Sequence, residues 1–529
     1  MRLWSIGHSA LRGLTNVFSL FHLNIDTMHR ISLLTLFAAI TATCLALNVE
    51  NNAGLLSKKI SDKSITSLTV TGTLDVRDLG FIADSLSNLT TLNIEKASIV
   101  AYQDVDATTQ VIKKICRANE IPATAFFGKK YSTVVLPADL KAIGLGAFAG
   151  CKNLKTLTLP ATLDSIAAFS FNGCAALESI TVPNGVRHIG EGAFSHDTKL
   201  TTVNIEASDK AITISKDAFM GCTALQTLTL GKGVKTIGAG AFKGCTAAFA
   251  PTLSPGIALT SIGEGAFLQS GCTDFDLTSC QHLTTIGAWA FACSGIKKAE
   301  IPETVEAVGD GAFFYTTSLS RVVLPSTKLK KISSYLLAGS AVANDTISSY
   351  TASIDTIGDY AFYNADKVKK IIIAPSTASV GFKAMAGTTS LGELWAAPKE
   401  VPATADSVWS GIDQKKVTLY VYDSAISDYK AADQWKEFQI EGVPTMSVNK
   451  PVADTSAVKA FFQSTILHVK ATVTVSAIQI HDVSGILLSS TRHNASEVAI
   501  ETADYTGKFY LVTVTLENGE KQTFKLLRK

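Results

Sequence analysis

Residues 237–245 read IGAGAFKGC, residues 143–151 read IGLGAFAGC and residues 189–194 read IGEGAF. Self-similarity at a fixed period marks a repeat architecture and takes precedence over any local reading. The Ala-Phe pair recurs with its ring at Phe126, Phe148, Phe194, Phe219, Phe242, Phe267, Phe291, Phe313 and Phe362. Phe171, Leu337 and Met385 fill the same slot behind Ser170, Leu336 and Ala384. Twelve copies therefore follow one another at intervals of 22 to 25 residues.

Between these slots lies a second pattern, seen in residues 154–160 (LKTLTLP), 177–183 (LESITVP), 296–302 (IKKAEIP) and 319–325 (LSRVVLP). Leu157 and Leu159 alternate with Thr158, the period of a half-buried strand. The proline that follows has no N–H and ends the strand. The Ile-Gly half supplies glycine where the chain turns and two apolar anchors. One copy cannot bury both halves, but stacked copies can, with Leu, Ile and Phe ladders along the axis. Burial of each large apolar side chain is worth about 1.5–3 kcal/mol, so the row of twelve Phe-slot residues carries a major part of the stability.

These paired half-motifs resemble the BspA-type leucine-rich repeat family of bacterial surface proteins, over residues 120–396. The resemblance implies a leucine-rich repeat solenoid of short strands joined by turns, 3-10 segments or short helices. It also implies a secreted or cell-surface protein that binds a protein or glycan, with an adhesin-like role in host or intercellular attachment. A structural envelope scaffold is the alternative.

The composition agrees with a folded binding protein. Over 529 residues, 47 Lys and Arg nearly balance 45 Asp and Glu, for a net charge of +2. Nucleic-acid binding needs clustered positive excess, which this balance argues against. With 47% hydrophobic and 17% charged residues the chain is not a disordered one. Nine cysteines are too sparse for a disulfide scaffold.

The flanks read as processing and capping segments. Residues 31–49 lack charge, Arg30 precedes them, and Cys44 and Ala46 sit at −3 and −1 of a cleavage after Ala46. Residues 1–46 thus read as a signal peptide, with Met28 an alternative start. No transmembrane span remains in the mature chain. Residues 50–119 are expected to form an N-terminal cap, with strands at 65–70 and 89–94, a helix near 75–86 and an irregular connection at 101–119. Residues 397–440 read as a C-terminal cap in which the period has stopped after Pro398, with a helix capped by Ser424 and running to Trp435. Residues 441–457 read as a linker.

Residues 458–529 change to alternating strands at 466–475, 477–482, 509–516 and 521–527, a pattern that fits a small all-β sandwich. Ile480-His481-Asp482-Val483-Ser484-Gly485, Gly507-Lys508-Phe509-Tyr510 and the basic end at Lys525–Lys529 resemble the C-terminal sorting domain of the Bacteroidetes type IX secretion system. The resemblance implies that secretion machinery is a partner of this domain. His481-Asp482 and Gly485-Ile486 stand where that family has Tyr-Asp and Gly-Arg.

No catalytic, cofactor or metal site is nominated. The glycines at 144, 146 and 150, and those at 238, 240 and 244, have one residue too many for a dinucleotide fingerprint and recur with the period. His188 and His196 have no metal-site spacing. Cys151, Cys174, Cys222 and Cys245 share one slot. They read as a row of small buried thiols, with redox pairing or metal capture as the functional alternative. Cys272, Cys280 and Cys293 fall outside that register and leave room for one disulfide.

Outward strand positions are expected to form a concave binding face: Lys155, Thr156, Thr158, Glu178, Thr181, Thr201, Asn204, Gln226, Thr227, Thr229, Lys297, Lys298, Glu300, Arg321, Lys369 and Lys370. The plain alternative is a soluble sheet face rich in Thr for its strand propensity. Trp395 either adds a stacking contact or packs on the cap.

Overall fold

The computed structural model describes residues 46–105, 112–325, 327–342, 354–444, 458–463, 465–482, 487–503, 505, 509–517 and 521–528. Residues 1–45 of the segment read as a signal peptide, most of the expected linker and the glycine-containing turns of the last domain lie outside these residues. The chain divides into two compact units, residues 1–442 and 443–529.

In the first unit most copies contribute two short strands among the described residues, and like strands of successive copies pair in parallel. The Ile-Gly half makes one row of nine, from Glu120–Ile121 to Ala307–Val308, and a second row of four, from Lys331–Ile332 to Ala403–Thr404. The leucine half makes further sheets. In one, Ile180 pairs with Val203 and Val203 with Leu228, while Val182 pairs with Ile205 and Ile205 with Leu230. These side chains are buried. Register follows from the pattern, since a one-residue slip would turn every buried side chain outward.

The rings of Phe148, Phe171, Phe194, Phe219, Phe242, Phe267, Phe291 and Phe313 stack face to face at 5.1–5.6 Å, all within 11° of parallel. Backbone bonds hold the coils at the same spacing: Phe148 N–H donates to Ser170 O at 2.7 Å and Phe219 N–H to Ala241 O at 2.8 Å. Where the Ile strand ends at Gly238 the preceding coil comes close, although Ala167, Ser215 and Ser333 take the same slot in other copies. A Cβ on Gly238 would stand 2.6 Å from the Ser215 carbonyl carbon and 2.7 Å from Lys216 N of the preceding coil.

The N-terminal cap starts earlier than expected. Ala46–Asn51 pairs in parallel with Ser67–Leu74, which continues to Thr91–Asn93 and Thr133–Val135. The helix Val76–Ser85 begins with a capping box: Asp75 accepts from Arg77 N–H, and Asp78 reaches back to Asp75 N–H at 3.1 Å. The connection after it is not irregular. Tyr102–Val105 and Ile112–Cys116 pair as antiparallel strands.

The period does not stop at Pro398. Glu393–Ala396 pairs with Thr418–Tyr422, and Ser379–Val380 with Ala403–Thr404. Trp409 takes a thirteenth Phe slot: Met385 N–H donates to Val408 O as Phe362 N–H does to Ala384 O. The indole hid this copy from a Phe pattern. Cover for the open end comes from Trp435 and Phe438, whose rings meet Trp409 edge-on at 5.2 and 5.0 Å. The expected long helix is a 3-10 turn, Asp423–Ala425, followed by Ile426–Ala431, and Ser424 makes no cap bond. The chain must turn back at Ala432 to bring Trp435 onto Trp409.

The second unit is all-β. Ile466–Asp482 is one strand with a register shift between Val475 and Ala477, where two separate strands were expected. It pairs with Val458–Gln463, Leu487–Glu501 and Phe509–Leu516, and the last pairs with Lys521–Leu527. Leu487–Glu501 escaped the pattern because it is largely exposed and polar.

Candidate binding surface

Ten of the expected binding residues lie on strands, whereas Lys155, Glu178, Thr201, Gln226, Lys297 and Lys369 each stand one residue before a strand begins. Thr156, Thr158, Thr181 and Thr227 are exposed beside buried Leu157, Ile180 and Leu228. Thr181, Asn204 and Thr229 are directly paired across three successive copies, so period and register together build a continuous row. Thr201 spends its hydroxyl on Glu178 O at 3.0 Å, one bond in a copy-to-copy hydroxyl series that includes Ser132 to Thr90 O and Ser320 to Lys297 O, both at 3.1 Å. Its role is therefore partly structural. Gln226 is exposed.

The sixteen positions do not share one uninterrupted sheet. Among the described residues, pairing breaks between Thr156–Thr158 and Ser179–Val182 and between Thr252–Leu253 and Lys298–Glu300. At the second break the leucine strand is replaced by a 3-10 turn, Leu277–Ser279. There Asp276 accepts from Thr278 N–H at 3.1 Å, a local bond that competes with the ladder. At the first break the coils part into a cleft of about 450 Å³, lined by Thr156, Thr158, Glu178, Thr181, Pro183 and Glu206, with Lys155 and Glu178 3.3 Å apart across it.

Charge on this face is largely paired. Arg321 Nε is 3.1 Å from Glu300, and Lys370 Nζ is 3.4 Å from Glu393 and 4.7 Å from the Trp395 ring centre. Such solvent-facing pairs contribute little to stability. Lys297, Lys298 and Lys369 are exposed and take no ion pair among the described residues. Trp395 is 6% exposed, stacks on Tyr420 at 4.3 Å and donates Nε1–H to Glu393 at 3.1 Å. It packs into the sheet face and offers no open ring.

The shared cysteine slot is a thiol row. Cys151, Cys174, Cys222 and Cys245 are buried and free, each S–H donating to the Phe carbonyl of the preceding coil at 3.1–3.3 Å. Burial pushes the Cys151 thiol up to about 12 and raises Cys174 and Cys222 as well, so these are unreactive donors and not thiolates. Cys272 and Cys280 are buried, Cys293 is exposed, and all three are free. Asp197 occupies the same slot between Cys174 and Cys222, 0% exposed, with neither carboxylate oxygen completing a hydrogen bond. Burial raises its pKa well above the ordinary value, and the nearby amides of Gly173 and Cys174 already donate to Ser195 O and Phe171 O. Sequence reasoning missed it, although the three-residue offset from Phe194 marks the slot.

His188 is exposed, with Nε2 3.3 Å from Ser215 Oγ. Among the described residues no three His, Cys, Asp or Glu side chains gather as metal ligands, and no helix is long and apolar enough to cross a membrane.

Comparison with known proteins places this geometry. The model of the BspA type leucine rich repeat region matches residues 119–248, 212–343 and 342–419, together more than half of the chain. A second model, described only as a domain of unknown function, matches residues 446–527. No curated protein matches. Among solved structures, a leucine-rich repeat protein from Bacteroides ovatus is 18% identical, with 75% of this chain and 92% of that one covered and a TM-score of 0.46. The pneumococcal vaccine antigen PcpA is also 18% identical, over 76% of this chain and 93% of its own, with a TM-score of 0.34. A leucine rich cell surface protein from Faecalibacterium prausnitzii is 19% identical, over 56% of this chain and 95% of its own, with a TM-score of 0.27.

Proposed function

Because the chain belongs to the BspA-type leucine-rich repeat family, we propose that it is a secreted or cell-surface binding protein. In this reading it takes an extracellular protein or glycan on the outward positions of its leucine strands and acts in attachment, without catalysis. The observation that carries this is the in-register row from Thr181 through Asn204 to Thr229 beside the cleft at Thr158. Those positions repeat from copy to copy without serving the core. A row of this kind suits a broad macromolecular ligand better than a small substrate.

The test is capture of soluble matrix glycoproteins by the mature chain. Changing Thr158 and Thr181 to Tyr fills the cleft. Changing Lys297, Lys298, Lys369 and Lys370 to Ala removes the basic positions. Either set is expected to weaken binding by roughly tenfold or more, equivalent to about 1.4 kcal/mol. An envelope scaffold predicts no capture at all.

The surface location in this proposal rests on the signal-peptide reading of residues 1–46 and on the type IX sorting resemblance of residues 458–529. A chain truncated after residue 457 is expected to stay in the periplasm while the full chain reaches the surface. Normal display of the truncated chain would remove the sorting role and leave the binding role standing.

A further inference from the structure

The residue two places before each ladder ring is left-handed. Its φ is 54° at Asp217, 62° at Gly240, 57° at Gly265, 56° at Trp289, 62° at Gly311 and 58° at Tyr335. Glycine adopts this conformation freely, whereas a bulky L residue is strained there, and strain of this kind gathers at functional positions. Between Asp217 and Trp289 two consecutive copies, Gly240 and Gly265, present no side chain of their own; the Asp217 carboxyl lies over Gly240, and Gly265 is left uncovered. The ladder advances 5.2–5.3 Å at each of the three steps between them. The result is an open cleft of about 330 Å³ on this row, with the two glycines among its lining residues and Asp217 and Trp289 beside them. That volume is near the lower end for small-ligand sites.

Trp289 is set in place by its neighbours. Its backbone N–H donates to Asp310 O at 2.9 Å, and its indole lies where a Cβ on Gly311 would be. The ring meets Phe314 edge-on at 5.4 Å and tilts on Tyr335 at 6.2 Å. A platform fixed in advance loses little freedom when a ligand arrives. Leu268 and Met220 add apolar lining, and Lys216, Lys243, Asp217 and Glu264 add charge of both signs. Lys243 and Glu264 are exposed and carry no ion pair or side-chain hydrogen bond among the described residues.

We propose that this cleft binds a pyranose unit of a neutral glycan, with the sugar's C–H face on the Trp289 indole and its hydroxyls on Asp217, Glu264 and Lys243. A pyranose combines an apolar face with a rim of groups that both donate and accept. The indole suits the first. Carboxylate and ammonium groups side by side suit the second, and their opposed charges give no advantage to a charged polymer or a basic peptide. The site uses a different row of residues from the leucine-strand face, so it stands or falls independently of the function proposed above.

The full mature chain is tested on an array of neutral polysaccharides (mannan, β-glucan and galactan), sulfated and uronic polymers, and basic peptides. Retention of at least one neutral polysaccharide is expected. Trp289→Gly removes the platform. Gly265→Asn fills the floor with Trp289 intact, because asparagine tolerates positive φ and the nearest atom to the new Cβ is 3.6 Å away. Each is expected to weaken retention by roughly tenfold or more, with the Gly265→Asn melting temperature unchanged. The proposal is overturned if no neutral polysaccharide is retained, if only charged polymers or peptides are, or if retention ignores both variants and responds only to the leucine-strand substitutions.

Discussion

Replacement of Phe242 by alanine is expected to cost the repeat unit about 3–5 kcal/mol, the usual range for a fully buried aromatic. The ring is 0% exposed and lies 5.3 Å from both Phe219 and Phe267, at 1° and 11° from parallel. The vacated space cannot close, because backbone bonds on either side hold the coils apart. Phe219 N–H donates to Ala241 O at 2.8 Å and Phe242 N–H to Ala266 O at 2.7 Å. In a stacked array stability is a sum of copies and of neighbour interfaces, so one deletion weakens two interfaces at once. Amide exchange should therefore rise first in the coils around residues 215–270 and least in the N-terminal cap. Phe242→Leu should cost clearly less, since Leu337 already fills this slot at 0% exposure. Equal losses for alanine and leucine in chemical unfolding would show that the ring ladder is not the source of the stability.

Asp197→Cys is expected to stabilise the same unit by about 1–3 kcal/mol at neutral pH, the cost of a buried polar group left without a partner. The thiol would rejoin the row between Cys174 and Cys222 and donate to the carbonyl of Phe171, as its neighbours do. The sign of the pH dependence follows from the raised pKa of Asp197, whose cause is burial. Between the ordinary carboxylate value and the raised folded one, the folded state binds more protons than the unfolded state, so this residue's contribution to stability falls as pH rises. The advantage of the cysteine variant should be smallest below pH ~4 and grow toward neutrality. Denaturation series at several pH values, under reducing conditions, measure it. A pH-independent difference, or a less stable variant at pH 7, would count against an unpartnered carboxyl at this site.

The buried half of the repeat unit was legible because its contacts are copies of one contact. A residue meets its counterpart one period away, so Phe148 meets Phe171 and Ile180 meets Val203, and the period printed in the chain states the pairing. Departures were harder to read. Trp409 carries a copy in a different ring, and the hairpin at 102–116 follows no period at all.

The amino-acid sequence alone determined the coil, its register and the aromatic ladder, because burial selects residue type at fixed spacing and that selection is visible without coordinates. Only the tertiary structure decided which copies part at Thr158, which carboxyl stands unpartnered at Asp197, and where Gly240 and Gly265 open a space beside Trp289. These depend on the particular side chains that adjacent copies place next to one another. A periodic core can be read copy by copy, but a surface is set by the differences between neighbours.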